Sequence, residues 1–148
     1  MNQWIAANLA QKLLAEHGLE NWAFRYNHRK RAMGLCRYDE KRIELSLHFV
    51  RRNGEAAVRD TILHEIAHAI AGPEAGHGPK WRRVCQQIGA EPTRCGEAKM
   101  PAGRWQATCP NCGQRYARHR RPMRGRTYHC RPCGPTRGRL RFAAGVRR

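Results

Sequence analysis

The sequence predicts an α+β protein in which helices pack on a small antiparallel sheet, followed by a small module held together by four cysteines. Three observations support this prediction. The spacing of apolar residues changes along the chain from every second position to every third or fourth, two C-x2-C pairs lie in the last third, and the two parts of the chain differ in charge. Residues 1–100 contain 16 basic and 11 acidic side chains, whereas residues 101–148 contain 13 Arg and no Asp, Glu or Lys. The composition changes within a Lys-Met-Pro-Ala-Gly stretch, which predicts domains at 1–98 and 105–148 joined by a linker at 99–104.

The first domain is predicted to open with one helix and three strands. The helix is amphipathic and ends at a glycine, and its apolar stripe is formed by Trp4, Ile5, Leu9, Leu13 and Leu14. Trp22, Phe24 and Tyr26 then alternate with polar residues, as in a half-buried strand. Two further strands, around Met33–Tyr38 and Ile43–Leu47, complete the small antiparallel sheet.

Two more helices are predicted after the sheet. Apolar residues fall four apart from residue 58 to residue 70, and the run stops at Gly72-Pro73. The second helix begins at Pro79, a favourable first-turn residue, and continues to Gly89. Trp81 and Cys85 of this helix are expected to pack it against the preceding one.

The first of these two helices contains an HExxH pattern, at residues 64–68. Because a helix turns about 100° per residue, His64 and His68 project from one face, one turn apart. Two imidazoles at this spacing can hold one zinc ion, and Glu65 can reach a water on the metal and act as a base. The third protein ligand is predicted to be His77, where glycines turn the chain back. Glu74 is the weaker candidate because it follows the end of the helix too closely.

The seven cysteines include two matching pairs, C-x2-C and C-x2-C, each followed by glycine and separated by residues 113–129. Four thiolates at this spacing make a closed tetrahedral zinc site with no position for substrate, which predicts a structural zinc ribbon with ligands Cys109, Cys112, Cys130 and Cys133. A pair of redox-active C-x2-C sites is the alternative, and His119 and His129 are competing ligands. Cys36 and Cys95 have no assigned role and are expected to be buried, inert thiols.

The second domain carries an uncompensated positive charge. Two short strands around Tyr116 and Tyr128 are expected to flank an arginine-rich turn, with a final strand through Leu140 and Phe142. Arginine forks suit phosphate oxygens and tyrosines can stack on bases, so nucleic acid is the predicted partner, bound by Arg115, Arg118, Arg120, Arg121, Arg124, Arg126, Tyr116 and Tyr128. An acidic protein is the alternative partner.

The chain resembles the SprT-like (Spartan-type) zinc metalloproteases. The resemblance is carried by Lys30–Cys36, Ile43–Ser46, the helix Leu63–Ala69 and His77–Trp81, and a C-terminal zinc ribbon is frequent in that family. It implies a minimal zincin-like metalloprotease core with His64, His68 and His77 as zinc ligands and Glu65 as catalytic base. It also implies a protease that acts near DNA, since eukaryotic relatives cleave proteins crosslinked to DNA.

The function predicted on this basis is a zinc endopeptidase with one catalytic and one structural zinc. It would act on DNA-associated proteins in the manner of DNA–protein crosslink repair, with the ribbon docked on single- or double-stranded DNA. The alternative is a non-catalytic, two-zinc DNA-binding adaptor or regulator, which would apply if Glu74 or Cys85 filled the open zinc position. Without a membrane-spanning apolar run or a secretion signal, the chain is expected to be cytoplasmic, and its like-charged tail favours a monomer.

Overall fold

The structure is a computed structural model that describes residues 1–93 and 98–145 and divides the chain into two compact units, Met1–Pro101 and Ala102–Arg148. The predicted α+β class is confirmed, and Cys95 lies outside the described residues. The first unit contains, in chain order, α1 (Gln3–Glu16), β1 (Ala23–Asn27), β2 (Gly34–Arg37), β3 (Arg42–Ser46), α2 (Leu47–Val50), α3 (Glu55–Ala71), a 3-10 turn (Pro73–Ala75) and α4 (Pro79–Ile88).

The sheet of the first unit has the strand order β1-β3-β2. Strands β2 and β3 form the predicted antiparallel hairpin, but β1 runs parallel to β3, so the expectation of a wholly antiparallel sheet is wrong for this pair. The connection at 28–33 is longer than a hairpin turn, and it lets the chain skip one strand position, into which β3 then inserts. The sheet places β2 at its edge, with one side not paired to another described strand.

Helix α1 buries only part of the predicted stripe: Leu13 and Leu14 are buried and Leu9 packs against the core, as predicted. Its buried residues follow the spacing i, i+4, i+7, i+8 and are Ala6, Ala10, Leu13 and Leu14. Trp4 and Ile5, predicted to lie on the buried stripe, are 73% and 56% exposed. The prediction weighted large apolar side chains, whereas the helix uses two alanines, which allow its backbone to approach the core closely.

Helix α3 passes through the centre of the first unit. Its buried side chains pack with those of α1, α4 and the central strand β3, whose Ile43 and Leu45 are fully buried. The amide of Asn53, just before α3, donates to the carbonyl of Lys99 at 2.9 Å and accepts from its backbone nitrogen at 2.9 Å. Residue 99, the first of the predicted linker, is therefore tied to the first unit.

The second unit consists of short strands around the four cysteines. Its elements are β4 (Trp105–Thr108), β5 (Arg115–Arg118), β6 (Tyr128–His129), α5 (Gly134–Arg137), β7 (Arg139–Leu140) and β8 (Ala143–Ala144). The strands of Tyr116 and Tyr128 were expected to flank one turn, but they do not pair with each other. Instead, β5 pairs with β4, and β6 pairs with β7. Each C-x2-C pair lies in the connection between two paired strands, so the strands that flank a cysteine pair form the hairpin.

No helix in the described segments combines the length and the apolar character needed to cross a membrane.

Candidate metal centres

Three histidines of the first unit converge on one point. His64 and His68 extend from the same face of α3, and the Nε2 atom of His77 lies 3.1 Å from the Nε2 atoms of both. Two nitrogens bound to a tetrahedral zinc at 2.0–2.1 Å would be about 3.3 Å apart. Neither Glu74 nor Cys85 belongs to this cluster of potential ligands in the described part of the chain.

The return of His77 to α3 depends on glycines that adopt positive φ. Helix α3 ends at Gly72, whose φ is 88° and whose backbone nitrogen donates to the carbonyl of His68 at 2.9 Å. After the 3-10 turn, Gly76 has a φ of 48°, a region that favours glycine. Gly78 then closes the loop by donating to the carbonyl of Ala75 at 2.9 Å, and α4 begins at Pro79.

The donor set fits a zinc ion. Burial, and next the charge of His77, lower the pKa of His64 to about 4. Burial, followed by the charges of His64 and His77, lowers the pKa of His68 to about 4. Both imidazoles are therefore neutral near pH 7, which is the form that binds metal.

The indole of Trp81 packs against all three imidazoles. Its ring lies 4.7 Å from the ring of His64, 4.7 Å from that of His77 and 5.2 Å from that of His68, with which it stacks. Trp81 was expected to pack α4 against α3, and it does so directly behind the histidines. Fully buried and rigid, it fixes the positions of the imidazole rings.

Glu65 lies beside this cluster and is only 6% exposed. Burial raises the pKa of its carboxyl group to about 8, and a cation held by the neighbouring histidines would favour the charged form. The side chain lies flat against β2: a Cβ atom added to Gly34 would be 2.5 Å from the Glu65 Oε1 atom and 2.8 Å from its Cγ. Gly34 therefore leaves the space that the carboxylate occupies.

A groove of about 500 Å³ opens in front of the histidines and Glu65. The edge strand β2 forms one wall, and apolar or small side chains such as Met33, Phe49 and Ala57 line its floor and sides. Cys36 also faces this groove and is half-buried. Burial, followed by the charge of Glu65, raises the pKa of the Cys36 thiol to about 12, so the thiol is protonated near pH 7. The expectation of a buried Cys36 is wrong, because this side chain is only half-buried at the groove.

The four cysteines of the second unit form a second cluster with metal-ligand spacing. Their sulfur atoms all lie within 4.8 Å of one another, and the Cys112–Cys130 separation is 3.6 Å, against about 3.8 Å for two thiolates on one tetrahedral zinc. Gly113 and Gly134, directly after the pairs, have φ values of 73° and 69°, which explains the glycines at those positions. His119 and His129 do not belong to the cluster in the described residues.

Neighbouring side chains support the sulfur atoms. The Tyr116 hydroxyl donates to the Cys130 sulfur at 3.0 Å, and the Asn111 amide donates to the Cys133 sulfur at 3.2 Å. Gly138 packs behind the site, where an added Cβ would be 2.7 Å from the Cys133 Cβ. Tyr116, predicted to contact nucleic acid, thus also has a structural partner.

The residues predicted to bind nucleic acid differ in their accessibility. Arg118 and Tyr128 are half-buried against each other, with the guanidinium 4.5 Å from the ring centre, and the Tyr128 hydroxyl accepts from the Met123 backbone at 3.3 Å. The exposed members of the set are Arg115, Arg120, Arg121, Arg124 and Arg126. No ion pair within the described residues involves an arginine of the second unit.

Comparison with known proteins finds a family match for each unit. The model of the SprT-like family matches residues 3–101. The chain belongs to the SprT-like family. The SprT-like zinc ribbon domain matches residues 103–141, which, with the four-cysteine cluster, indicates zinc in the second unit. The resemblance found in the sequence is thereby confirmed.

Bacterial SprT proteins are similar to this SprT-like chain over most of its length. Protein SprT of Pseudomonas paraeruginosa is 30% identical over 118 residues, covering 70% of this chain and 71% of the relative. Protein SprT of Pseudomonas putida is 28% identical over 116 residues, with the same shares of the two chains.

Sequence reasoning gave no role to Gly34 or Gly138 and gave Trp81 only the role of packing α4 against α3. Gly34 lies within the SprT-like motif and makes room for Glu65, Trp81 supports the histidines, and Gly138 packs behind the cysteines. For Trp81 the available signal was its spacing: it lies four residues after His77, in the first turn of the helix that begins at Pro79. For the two glycines there was no signal in the sequence, because the contact that requires them is made with a distant part of the chain.

Proposed function

We propose that this SprT-like protein is a zinc-dependent endopeptidase that acts on proteins associated with DNA, as in DNA–protein crosslink repair. The observation that carries the proposal is the convergence of three imidazole nitrogens beside a buried carboxylate at an open groove. The groove has a volume of about 500 Å³ and many apolar lining residues, which suits it to a peptide. One of its walls is the edge strand β2, beside which a peptide could pair as a further strand.

His64, His68 and His77 would hold the catalytic zinc, leaving a fourth position for water on the side of the groove. Bound there, zinc would polarise the scissile carbonyl and lower the pKa of the attacking water. Glu65 accepts the proton of that water and afterwards passes it to the leaving amine. The buried surroundings that raise the pKa of Glu65 suit this exchange, because a carboxylate poised near neutral pH can both take and return a proton.

The second zinc, held by four cysteines, is proposed to be structural, since four protein ligands leave no position for substrate. The unit around it carries exposed arginines without acidic partners, which favours docking on phosphates of single- or double-stranded DNA. In this proposal the second unit binds DNA and the first unit cleaves. The groove of a cytoplasmic, monomeric protein would thereby reach proteins already bound to nucleic acid.

The test is Glu65→Gln, measured as cleavage of a basic protein in the presence of DNA. We expect the variant to bind two zinc ions per chain and to lose at least about 100-fold in cleavage rate, because the amide cannot accept a proton. The matched control is Glu74→Gln, which removes an exposed carboxylate of the neighbouring 3-10 turn and is expected to cleave at the wild-type rate.

Cleavage by Glu65→Gln at a rate near that of the wild type would reject Glu65 as the base. If wild-type protein carrying two zinc ions cleaved no DNA-bound protein at all, the non-catalytic adaptor would be the correct function.

A further inference from the structure

A cluster of basic side chains lies on the first unit, outside the lining of the groove. We name it the α2 basic cluster: His28 and Lys30 from the connection after β1, and His48, Arg51 and Arg52 from α2 and the turn that follows it. Four of the five side chains are exposed, and His48 is half-buried. None of them is a ligand of either candidate metal centre.

The backbone holds the two segments of this cluster against each other. The Ser46 hydroxyl, at the start of α2, donates to the carbonyl of Arg29 at 2.5 Å, and its backbone nitrogen donates to the carbonyl of Met33 at 2.7 Å. The Arg29 backbone nitrogen donates in turn to the Asn27 side chain at 3.0 Å. The rings of His28 and His48 consequently lie 6.1 Å apart.

The cluster has no acidic partner among the described residues. Arg51 donates to the side-chain oxygen of Gln3 at 3.1 Å, and Arg52 donates to the backbone carbonyl of His48 at 3.1 Å. Within the part of the chain that the structure describes, Lys30, Arg51 and Arg52 form no ion pair. Burial, and then the charges of Arg52, Lys30, His28 and Arg51, lower the pKa of His48, as expected for an imidazole close to other basic side chains.

Two arginines of the neighbouring sheet are arranged differently. Arg42 pairs with Glu44 at 2.8 Å and Arg37 pairs with Glu40 at 2.6 Å, so both have acidic partners of the kind that the α2 basic cluster lacks within the described residues. Like charges held together without compensation lower the stability of the folded state. The α2 basic cluster is therefore suited to an anionic ligand that supplies the missing counter-charge.

An exposed tryptophan adjoins this cluster. The Met1 nitrogen donates to the carbonyl of Val50 at 2.9 Å, and Gln3 accepts from Arg51, so the start of α1 lies beside the end of α2. Trp4, the next residue along α1, is 73% exposed. An exposed indole on the helix end that contacts the cluster suits the binding of nucleic-acid strands, because the indole can stack on a base while the basic side chains contact phosphates.

We propose that the α2 basic cluster is a second nucleic-acid-binding surface, in which Lys30, Arg51 and Arg52 contact backbone phosphates and Trp4 stacks on an unpaired base. The proposal rests on the proposed function only in taking DNA as the ligand that the protein meets. It adds a contact made by the protease unit itself, so that nucleic acid is held at two places on the chain.

The first experiment measures binding of the full-length, zinc-loaded chain to a single-stranded oligonucleotide at several salt concentrations. The variant Lys30→Gln/Arg51→Gln/Arg52→Gln is expected to bind about tenfold more weakly, and the slope of log K against log salt should become shallower by about 2. The matched control, Arg59→Gln/Arg82→Gln/Arg83→Gln, removes the same charge from exposed positions on α3 and α4 and should change both quantities much less.

The second arm separates base stacking from phosphate contacts. Trp4→Ala is expected to weaken binding to the single strand roughly 5- to 100-fold and to leave binding to a blunt duplex unchanged. The stacking role of Trp4 would be contradicted if the variant bound the single strand and the duplex equally more weakly, or if it bound both as well as the wild type does.

The phosphate-binding role would be overturned if the triple variant bound like the wild type, or if it and its matched control lost affinity equally. It would also be overturned if the variant bound oligonucleotides normally but lost binding to phosphatidylglycerol vesicles, because the cluster would then contact membranes. Zinc content and thermal melting check that the variants fold. If the triple variant does not fold, the double variant Lys30→Gln/Arg52→Gln replaces it, because this variant retains the hydrogen bond between Arg51 and Gln3. Binding is measured without cleavage, so its outcome is independent of whether Glu65 acts as a base.

Discussion

At the scale of single residues, the candidate active site depends on the absence of a side chain at Gly34. The Glu65 carboxylate is buried against this position of β2, and a methyl group there would lie 2.5 Å from the Oε1 atom. A carboxylate that must exchange a proton with a water has to be placed accurately, because a displacement of about 1 Å can cost about 100-fold in rate. In the proposed mechanism, Gly34 is therefore a positioning residue that acts through Glu65.

Gly34→Ala is expected to lower cleavage roughly 10- to 100-fold while leaving two zinc ions per chain, because the methyl group displaces Glu65 but none of the histidines. Steady-state kinetics and metal analysis of the same preparation check this. Gly54→Ala is the control: Gly54 has a φ of −78° and nothing within 4 Å of an added Cβ, so its substitution should be silent. A fully active Gly34→Ala protein would show that Glu65 is not held in place by this contact.

At the scale of secondary-structure elements, the sequence predicted the helices and strands better than their packing. Local periodicity is sufficient to find β1 and α3, and the glycine and proline after α3 mark its end. The parallel pairing of β1 with β3 depends on which strand fills the centre of the sheet, and periodicity carries no information about that. The histidines could be assigned because helical geometry relates two of them, whereas the supporting position of Trp81 depends on how α4 packs.

The central strand β3 carries a buried carboxylate that joins these elements. Glu44 accepts a hydrogen bond from Asn27, at the end of β1, at 3.0 Å and pairs with Arg42 at 2.8 Å. Burial alone would raise the pKa of Glu44, but the hydrogen bonds from Asn27 and Arg42 and the charges of Arg42 and Arg37 outweigh it and lower the pKa. The charged form therefore stabilises the fold above the ordinary pKa of a glutamate, and this contribution is lost as the pH falls through the lowered value.

Glu44→Gln is expected to lower the free energy of unfolding by about 1–3 kcal/mol at pH 7, because hydrogen bonds to a charged group are replaced by weaker ones. The difference from the wild type should shrink below about pH 4, as Glu44 of the wild type becomes protonated. Urea unfolding at several pH values measures this difference in the free energy of unfolding.

The control is Glu16→Gln, which breaks an exposed ion pair with Lys12 and should change the free energy of unfolding by less than about 1 kcal/mol. If the effect of Glu44→Gln did not depend on pH, the charge of Glu44 would be excluded as its cause.

At the scale of the whole molecule, the two units differ in what stabilises them. The first unit has an extended apolar core contributed by α1, β3, α3 and α4. In the described residues of the second unit, the buried apolar cluster consists of Ala107, Cys109, Cys130 and Leu140, and two of these are metal ligands. So small a core cannot compensate for the conformational entropy of the chain, and zinc has to supply the folding free energy.

Cys130→Ser is therefore expected to remove one zinc ion per chain and to unfold the second unit while the first unit stays folded. Trypsin measures this directly: an unfolded second unit, rich in arginine, is digested at once and leaves a resistant fragment that ends near residue 101. Cys36→Ser, at a cysteine outside both metal clusters, should retain both zinc ions and an intact chain under the same digestion. If the Cys130→Ser chain resisted trypsin along its whole length, the short strands of the second unit would be stable without metal. The ribbon would then be held by packing that the four buried residues do not account for.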